Sequence, residues 1–568
     1  MTSIYEERPW LQHYPEGVSP EITFPSMTLG EAFDESTDKW SRRTAIIFYG
    51  NKISYAELRD MVDRFAAALS SMGVKKGDRL ALLMLNSPEY IISFYAAAKI
   101  GAVVTPISPV YVSSEIKHQL EDSGAETIIC QDILYEGVER SEVPLKNIIL
   151  TNIADSLPKF KKLMGSSILR GVYQKMAAPA PEIFEKPGIM KFHAVIAQHP
   201  PIPPRVDINP EEDLLMLPYT GGTTGPPKGV MITHANAIAN VHQIHQFLSF
   251  LKEGEETLIA YMPYYHAAGK SVAVLIGILL GYTQVTITTP DLDDIISSTI
   301  KYKATFFMGA PTMYEMLKDY EKTDRVSWKK LKVILAGADS LHDETVRDWE
   351  ERTGTRIVEG YGMTETTATT HMDPPGAERY GSIGFPIPGT LSAILDPDED
   401  KFLPPGEIGE IVSSGPQVTP FGYWKRADST QDCEAFINGR RWWRTGDLGR
   451  MEEDGYFYVY DRKRDLIKYK GLRIFAREVE EVIKTHPNVK EVGIVGVPDL
   501  KVGEYVKAII VLEGDARGKV SEADIMEFCK DKLAHYKIPA MIEFVGEIPK
   551  TDIGKVSRRE IRDQVEED

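Results

Sequence analysis

The sequence predicts an α/β fold, with doubly wound α/β layers in a large N-terminal domain and a small α+β domain at the C-terminus. The chain has 568 residues, which is more than one hydrophobic core of ordinary size can serve. Between residues 27 and 131, helical apolar periodicity alternates with short β-branched runs, as in layers of helices on a parallel sheet. After residue 465 the sequence becomes rich in charge and holds enough helix and strand for a separate domain.

The alternation of helix and strand occurs twice along the chain. The first set reads, in chain order, TLGEAFDEST, TAIIFYG, SYAELRDMVDRFAAALSSMG, RLALLML, EYIISFYAAAKIG and AVVTPI. The second set is TLIAYMP, TQVTITT, ATFFMGA, LKVILAG and RIVEGYG, each of which is typical of a buried strand. The apolar run SVAVLIGILLGY at 271–282 is shorter than the about 20 residues that a membrane span needs. We therefore interpret it as a buried helix.

Residues 158–204 interrupt this pattern with a basic stretch followed by a proline-rich one. We interpret them as a surface insertion, either a solvated segment or a linker, with contact to anionic lipid as the alternative. The last part of the chain reads as a helix (REVEEVIKTHP), two strands (VGIVGVP and VKAIIVLE) and a second helix (EADIMEFCKDKLA). The boundary falls near residues 462–465, which predicts domains 1–463 and 464–568.

Composition and charge exclude several classes of protein. A hydrophobic content of 43% with 26% charged residues is that of a soluble globular chain. The net charge of −18 argues against nucleic acid bound through a general basic surface, so any phosphate site has to be built locally. Cys130, Cys433 and Cys529 are far apart and fit neither a disulfide framework nor a zinc cluster. This cysteine pattern predicts a reducing, cytoplasmic location.

The segment YTGGTTGPPKGV at 219–230 has the parts of a phosphate-binding loop. Glycine lets the backbone approach an anion, threonine adds hydroxyl donors and a lysine adds positive charge. Proline at 227 and glycine at 229 break the Walker pattern, which disfavours phosphoryl-transfer P-loop enzymes. An ordinary turn between a strand and a helix is the alternative. The candidate ligands are Thr220, Gly221, Gly222, Thr223, Thr224, Gly225 and Lys228.

This segment resembles the signature of the adenylate-forming superfamily, which contains acyl-CoA synthetases, luciferases and peptide-synthetase adenylation domains. Further strings resemble other motifs of that family: EGYGMTE at 359–365, WWRTGDLG at 442–449, DRKRDLIKYKGLR at 461–473 and IPKTDIGKVSRR at 548–559. The resemblance covers nearly the whole chain and is closest to medium- and long-chain fatty-acid:CoA ligases of bacteria and archaea. It implies a β-barrel-like subdomain in the N-terminal domain and a mobile C-terminal domain.

The resemblance also implies roles for residues around the nucleotide. Tyr361 would stack on adenine, Thr364 would contact phosphate, and Glu365 would hold Mg²⁺, a hard cation that prefers carboxylate oxygen. Asp447 and Arg462 would bind the ribose hydroxyls. The adenine pocket and its phosphate side would be completed by Gly337, Ala338, Gly360 and Gly362.

The resemblance gives the C-terminal domain a part in both half-reactions. Lys555 would bridge the carboxylate and the α-phosphate as the adenylation catalyst, and the chain would pivot at Arg464. Many members of the family carry aspartate or lysine at that pivot, so arginine is a departure in identity but not in polarity. Lys468 would contact a cofactor, and Gly471 would approach the pantetheine arm of coenzyme A.

The family's acid pocket begins near the string MPYYHAAG at 262–269, where His266 would lie at the carboxylate end. A core histidine with satisfied hydrogen bonds is the alternative for that residue. Gly309, Ala310 and Thr366 would add to the lining, and small residues leave space for an extended apolar tail. Lys270 departs from this apolar pattern. It could meet a polar or ω-functional acid, or its ammonium could reach solvent.

The function implied is ATP-dependent ligation of a fatty acid to coenzyme A, in which an acyl-adenylate and pyrophosphate form first and acyl-CoA and AMP follow. Mg²⁺ and coenzyme A are the cofactor and co-substrate. Three alternatives stay open: the same chemistry on an aryl, hydroxy or short-chain acid, a non-catalytic nucleotide-binding protein, and luciferase-like oxidation or carrier-protein loading. The expected partners are small molecules and not nucleic acid, while a peripheral membrane contact and a homodimer are not decided by the sequence.

Overall fold

The computed structural model describes residues 4–158, 183, 186, 188–220, 226–339, 341–470, 472–499, 501–514, 516–550 and 556–567. The chain divides into two compact units. The larger unit comprises Trp10–Leu391 and Ser414–Asp432, and the smaller unit comprises Met1–Pro9, Ser392–Ser413 and Cys433–Asp568. The predicted boundary at 463/464 stays a prediction, because compactness does not locate a hinge.

The strands of the larger unit follow the predicted alternation. In chain order they are β1 (Thr44–Phe48), β2 (Asn51–Ser54), β3 (Arg79–Leu83), β4 (Val103–Ile107), β5 (Thr127–Gln131), β6 (Asn147–Thr151), β7 (Ile189–Lys191), β8 (Leu214–Met216), β9 (Tyr219–Thr220), β10 (Lys228–Gly229), β11 (Ile232–Thr233), β12 (Thr257–Ala260), β13 (Thr283–Thr286), β14 (Phe306–Gly309), β15 (Val333–Ala336), β16 (Val358–Tyr361), β17 (His371–Met372) and β18 (Ser382–Pro386).

Two sheets of the larger unit are built mainly from parallel strands. The order of the first is β11-β8-β4-β3-β5-β6-β7, with an antiparallel pair only at β11·β8 among its described strands. The second runs β18-β17-β16-β15-β14-β12-β13-β1-β2. Its central strands β16, β15, β14, β12, β13 and β1 are parallel neighbours. Parallel sheets need helical crossovers, which is the reason for the alternation in the sequence.

Helices cover these sheets, and the sequence specifies where several of them begin. Thr28 and Ser54 each accept a hydrogen bond from the third helical residue, whose glutamate side chain accepts the cap's own backbone N–H in return. The helices of the larger unit are Leu29–Lys39, Tyr55–Ser71, Pro88–Lys99, Ser113–Ser123, Tyr135–Ser141, Phe192–Gln198, His234–Phe247, Ala267–Gly269, Leu292–Tyr302, Pro311–Asp319, Asp343–Thr353 and Ala427–Asp432. The run predicted as a buried helix forms a π-helix over Lys270–Gly277, buried at every position.

The smaller unit holds the strands β19 (Leu391–Leu395), β20 (Gly409–Ser414), β21 (Glu434–Ile437), β22 (Arg440–Met451) and β23 (Phe457–Arg462), and β20, β21 and β23 each pair antiparallel with β22. A second sheet, β25-β24-β27-β26 with β28 on β27, consists of β24 (Leu466–Tyr469), β25 (Leu472–Phe475), β26 (Val489–Asp499), β27 (Gly503–Leu512) and β28 (Met541–Phe544). The helices are Ile4–Glu7, Ala476–Lys484, Glu522–Lys530 and Arg558–Glu567. Val479, Ile483, Ile494, Ile510 and Ile525 form the core between this sheet and its helices, as expected for an α+β domain.

The part of the chain that the structure describes contains no helix with both the length and the apolar character needed to cross a bilayer.

Candidate active site

The predicted nucleotide residues of the larger unit lie where parallel strands end. Gly309 ends β14, Gly337 follows β15, and Tyr361 ends β16. Because these strands are parallel neighbours, their carboxyl ends meet at one edge of the sheet, and the Gly337 N–H donates to the Gly309 carbonyl at 3.3 Å. Ligands of open α/β sheets bind outside that edge. The order of the sheet therefore brings together residues that are separated in the sequence.

Two positions at this edge have an unusual backbone environment. A Cβ at Gly362 would lie 1.7 Å from the Ala368 carbonyl oxygen, so only glycine fits there. Ala338 has a φ of 75°, a left-handed conformation that a non-glycine residue seldom adopts. Backbone outliers of this kind are concentrated at functional sites.

A carboxylate and a lysine converge on one tyrosine in the larger unit. The Tyr423 hydroxyl donates to Glu365 Oε1 at 2.5 Å, and Lys228 Nζ lies 5.4 Å from the centre of the Tyr423 ring. Glu365 is 4% exposed and stands in a 3-10 turn over Thr364–Thr366. The predicted metal carboxylate and the predicted phosphate lysine are thus linked through a residue that the motifs did not indicate.

Backbone contacts explain how Tyr423 reaches this position. The Thr419 N–H donates to the Glu365 carbonyl at 2.8 Å, and the Trp424 N–H donates to the Gly229 carbonyl at 2.8 Å. The segment 419–424 therefore connects the turn of Glu365 with the strand of Lys228. Nothing in the string FGYWKR marks this tyrosine, because its partners lie in other motifs.

The phosphate-loop string forms a short antiparallel hairpin at its two ends. Thr220 pairs with Lys228 and Tyr219 with Gly229, while Gly221, Gly222, Thr223, Thr224 and Gly225 lie outside the described residues. The Tyr219 hydroxyl donates to Asp122 Oδ2 at 2.7 Å. Burial, followed by this hydrogen bond, raises the pKa of Tyr219 well above its ordinary value. The hairpin is thus anchored by a neutral phenol.

The predicted acid pocket is held in place by an asparagine. Asn86 Nδ2 donates to the Met262 carbonyl at 2.9 Å, and its Oδ1 accepts from the Tyr264 N–H at 2.8 Å. Asn86 is buried and fixes the loop that leads to His266. Because these partners are 178 residues apart, no local pattern predicts the contact. A small cavity beneath the loop is lined by Ile259, Met262, Gly269, Val272, Ala273 and Met308.

His266 and the other predicted lining residues differ in how their polar groups are used. His266 is half-buried and caps the helix that follows, its Nδ1 accepting from the Ala268 N–H at 3.3 Å. Thr366 is fully buried, and its hydroxyl exchanges hydrogen bonds with the backbone of Met363. Gly309 is buried and Ala310 half-buried. The hydrogen bonds of the Thr366 hydroxyl are thus made within its own turn.

Asp447 and Arg462 of the smaller unit are direct cross-strand partners on β22 and β23. Arg462 Nε lies 2.8 Å from Asp447 Oδ1, and the carboxylate is almost fully buried. The Asp447 N–H donates to Thr445 Oγ1 at 3.1 Å, which fixes the backbone beside it. Two residues predicted from separate motifs therefore form one charged pair, and their role toward ribose stays a prediction.

The remaining predicted residues of the smaller unit are placed as follows. Arg464 lies in a 3-10 turn over Lys463–Asp465, and Lys468 is exposed on β24. Gly471 and Lys555 lie outside the described residues. The chain on either side of Lys555 is described: Lys550 and Val556 form an antiparallel bridge, and the Ser557 N–H donates to the Pro549 carbonyl at 2.8 Å.

Arg558 is the centre of an ionic network around the predicted pivot. Its guanidinium lies 2.6 Å from Asp461, 3.2 Å from Asp465 and 2.5 Å from Glu480, and its side chain is 16% exposed. Although burial raises the pKa of Asp465, Arg558, Arg464 and Arg562 together hold it below its ordinary value. In the sequence, Asp461 precedes Arg464, whereas Asp465, Glu480 and Arg558 follow Arg464. The network therefore bridges the two sides of the predicted pivot.

We expect Arg558→Met to lower the free energy of unfolding by about 3 kcal/mol, because the carboxylates of Asp461 and Glu480 would stay buried without their cation, although Asp465 keeps its pair with Arg562. Denaturant unfolding followed by limited proteolysis between 461 and 480 measures the effect. Arg559→Met is the matched control, since Arg559 is half exposed and its 3.8 Å pair with Asp563 contributes at most about 1 kcal/mol. Equal loss in both variants would show that the network does not stabilise this segment.

Comparison with known families gives two matches on this chain. The pattern of the AMP-binding enzyme family matches residues 33–424, and that of the AMP-binding enzyme C-terminal domain matches residues 478–555. A long-chain-fatty-acid–CoA ligase of Bacillus subtilis (strain 168) is 35% identical over 99% of both chains. A feruloyl-CoA synthase of an Amycolatopsis species is 31% identical over 91% of this chain and 95% of its own.

Solved structures of ligases are also similar to this chain over most of its length. ATP-bound MatB from Rhodopseudomonas palustris superimposes with a TM-score of 0.80 at 27% identity, over 95% of this chain and 99% of that one. A long-chain-fatty-acid-CoA ligase from Archaeoglobus fulgidus gives a TM-score of 0.68 at 26% identity, over 94% and 99% of the two chains.

Proposed function

The chain belongs to the AMP-binding enzyme family and is an adenylate-forming acyl-CoA ligase, and on that premise we propose that it activates a fatty acid. The carboxylate oxygen of the acid attacks the α-phosphorus of ATP, the bond to the β-phosphate breaks and pyrophosphate leaves. The thiolate of coenzyme A then attacks the acyl carbon, the bond to the AMP oxygen breaks, and acyl-CoA and AMP are released. No covalent bond to the enzyme is needed.

The observation that carries the choice of acid is the likeness, over nearly the whole of both chains, to ligases named for long-chain fatty acids. The pocket residues support it, since the cavity beside Gly269 is lined by aliphatic and methionine side chains. An apolar lining of this kind stabilises a hydrocarbon tail by removing it from water.

Adenylation brings two anions together, so its main requirement is neutralisation of charge. Lys228 supplies a cation, and the buried carboxylate of Glu365 suits a hard divalent metal. The described residues contain no group of three acidic, histidine or cysteine side chains that could hold a metal alone. A single carboxylate fits Mg²⁺, which usually takes one or two protein carboxylates and completes its shell with water and substrate phosphates. When bound, Mg²⁺ would stabilise negative charge on the phosphates.

We assign Asp447 and Arg462 to the ribose of ATP, on their geometry and on the motifs to which they belong. Asp447 is a buried carboxylate paired with Arg462, and a carboxylate can accept hydrogen bonds from two vicinal hydroxyls, the arrangement that selects ribose. Tyr361 offers a half-buried ring for stacking on adenine. His266, Gly309 and Ala310 are assigned to the acid.

The two half-reactions need different groups, and we propose that residues 464–568 supply them in turn by rotation about Arg464. Lys555 would act in the first step, while Lys468 and Gly471 would serve the nucleotide and the pantetheine arm. The Arg558 network joins both sides of Arg464 in the described arrangement, so rotation would have to break the pair between Arg558 and Asp461.

We further propose a cytoplasmic location, on the low cysteine content. Contact with an anionic membrane surface and self-association are secondary proposals. Co-sedimentation with anionic vesicles tests the first, and sedimentation velocity tests the second.

We expect AMP formation to depend on added fatty acid and to rise further when coenzyme A is present. The measurement is AMP release across saturated acids of graded length, with ferulate and benzoate as aryl controls. Higher kcat/KM for an aryl acid than for every fatty acid would overturn the choice of substrate. ATP binding without acid-dependent AMP formation would overturn the enzymatic function as a whole.

A further inference from the structure

Lys270 is a buried lysine for which the described part of the chain supplies no acidic partner. Its residue is 1% exposed, and its Nζ has no hydrogen-bond partner among the described residues. The rest of its helix consists of Ser271, then valine, alanine, leucine and isoleucine residues up to Gly277, all buried. Burial alone lowers the pKa of Lys270 to about 7, with no contribution from a nearby carboxylate. The sequence left open a head group in solvent, and the structure excludes that alternative.

An ammonium in this setting is costly unless something pairs with it. Buried lysines are otherwise found with acidic partners or hydrogen-bond acceptors. In the same unit, the buried carboxylate of Glu256 is paired with Lys332, and Lys99 is paired with Asp34 and Asp63. Lys270 has no such partner in the described part of the chain. The amino group is therefore available to a ligand carboxylate, which would favour its charged form.

The position of Lys270 connects it with the acid pocket. Its N–H donates to the carbonyl of His266, the N-cap residue, at 2.9 Å, so Lys270 lies one helical turn after His266. His266 is half-buried, whereas every residue from Gly269 to Gly277 is buried. Lys270 thus lies one turn deeper than the residue proposed for the reacting carboxylate. Gly269, its neighbour, and Val272 and Ala273 line the cavity beneath the loop.

The backbone around Lys270 is also unusual. Lys270–Gly277 is a π-helix of eight residues, a form that is rare and frequent at functional sites. It packs on the helix His234–Phe247 and on β12 and β13, and the Val274 carbonyl accepts from the Tyr95 hydroxyl at 2.7 Å. A rigid apolar support of this kind holds the lysine away from solvent.

We propose that Lys270 determines substrate specificity by binding a second carboxylate carried on the acyl chain, so that the enzyme accepts dicarboxylic acids in preference to monocarboxylic acids of the same length. The inference rests on the proposed function, because it assigns a second group in the region of the same acid pocket, one helical turn after His266. The second carboxylate would pair with the ammonium inside the pocket, and the first would react with ATP. Acids that lack it leave the lysine unpaired.

The test compares wild type with Lys270→Met in acid-dependent AMP formation, using octanoate against octanedioate and hexadecanoate against hexadecanedioate. Methionine keeps the length and apolar stem of lysine and removes the charge. We expect the wild type to prefer the dicarboxylic member of at least one pair. We expect Lys270→Met to lower kcat/KM for that acid about 10- to 100-fold, the effect of a hydrogen bond to a charged group, mainly through KM. The value for the monocarboxylic acid should stay equal or rise.

The ratio of kcat/KM within each pair is insensitive to partial misfolding, because a folding defect lowers both values together. An unchanged ratio in Lys270→Met, or wild-type preference for the monocarboxylic acid in every pair, would overturn the assignment of Lys270. Absence of AMP formation with all four acids would instead contradict the proposed function, so the two failures are distinguishable. Direct binding of octanedioate by calorimetry to both proteins gives a second readout, with weaker binding expected for Lys270→Met.

Discussion

Lys555→Ala should lower acid-dependent pyrophosphate release by about 10²- to 10³-fold, the effect of losing one group that stabilises developing charge in a transition state. The reason is that the acid and the α-phosphate are both anionic, and the motif around 548–559 assigns Lys555 to neutralise them. Thioester formation from supplied acyl-adenylate should stay close to wild type, because that step no longer brings the anionic acid to the α-phosphate. Pyrophosphate release and coenzyme A consumption are measured separately.

Lys550→Ala is the matched control, since this lysine belongs to the same string and pairs with Glu491 at 2.9 Å on the surface. Its loss should change neither half-reaction by more than about twofold, as expected for an exposed ion pair. Equal losses of both half-reactions in Lys555→Ala would contradict the alternation of the C-terminal domain. No loss in either would remove Lys555 from the reaction.

Glu365→Gln should lower adenylation by about 10- to 100-fold at a fixed Mg²⁺ concentration, the range seen when a metal site loses a supporting group. The amide oxygen can still accept the hydrogen bond from Tyr423, so the buried turn should keep its structure. What is lost is the negative charge that attracts the cation. A titration of pyrophosphate release with Mg²⁺ should therefore shift to higher concentration.

Tyr423→Phe distinguishes a role of Glu365 in binding metal from a role in stabilising the turn. The substitution removes the hydroxyl and leaves the carboxylate in place. We expect it to lower the free energy of unfolding by about 1 to 3 kcal/mol, the cost of an unsatisfied buried acceptor, with little change in the Mg²⁺ requirement. If Glu365→Gln shows the Mg²⁺ titration of the wild type, Glu365 is not the metal carboxylate and its role is confined to the turn.

The doubly wound layers could be predicted because the signal for each element is local. TAIIFYG and RLALLML became β1 and β3, and TLIAYMP, TQVTITT and ATFFMGA became β12, β13 and β14. Burial on both faces of a parallel sheet requires a continuous apolar run, which can be read within one segment. The glycine at 362 could be predicted for the same reason, because the group that would clash with a side chain there is the carbonyl of Ala368, only six residues ahead.

Contacts between segments that are distant in the sequence could not be predicted from any single segment. Asn86 fixes the loop before His266, Tyr423 joins Glu365 to Lys228, and Arg558 binds Asp461, which is 97 residues earlier. Each depends on which side chains the sheets bring together. The acidic partners of Arg558 are unremarkable charged residues in the sequence, and only their burial with a cation distinguishes them.

The sequence by itself determined the order of helices and strands and the chemical groups of the motifs, because periodicity and turn composition act over a few residues. Only the tertiary structure decided which of these groups meet and which are removed from water. Lys270 illustrates the difference: a lysine beside an apolar run can extend to solvent or be enclosed. The packing of Lys270–Gly277 against helix His234–Phe247 and the sheet encloses it, and no described residue supplies a counter-charge.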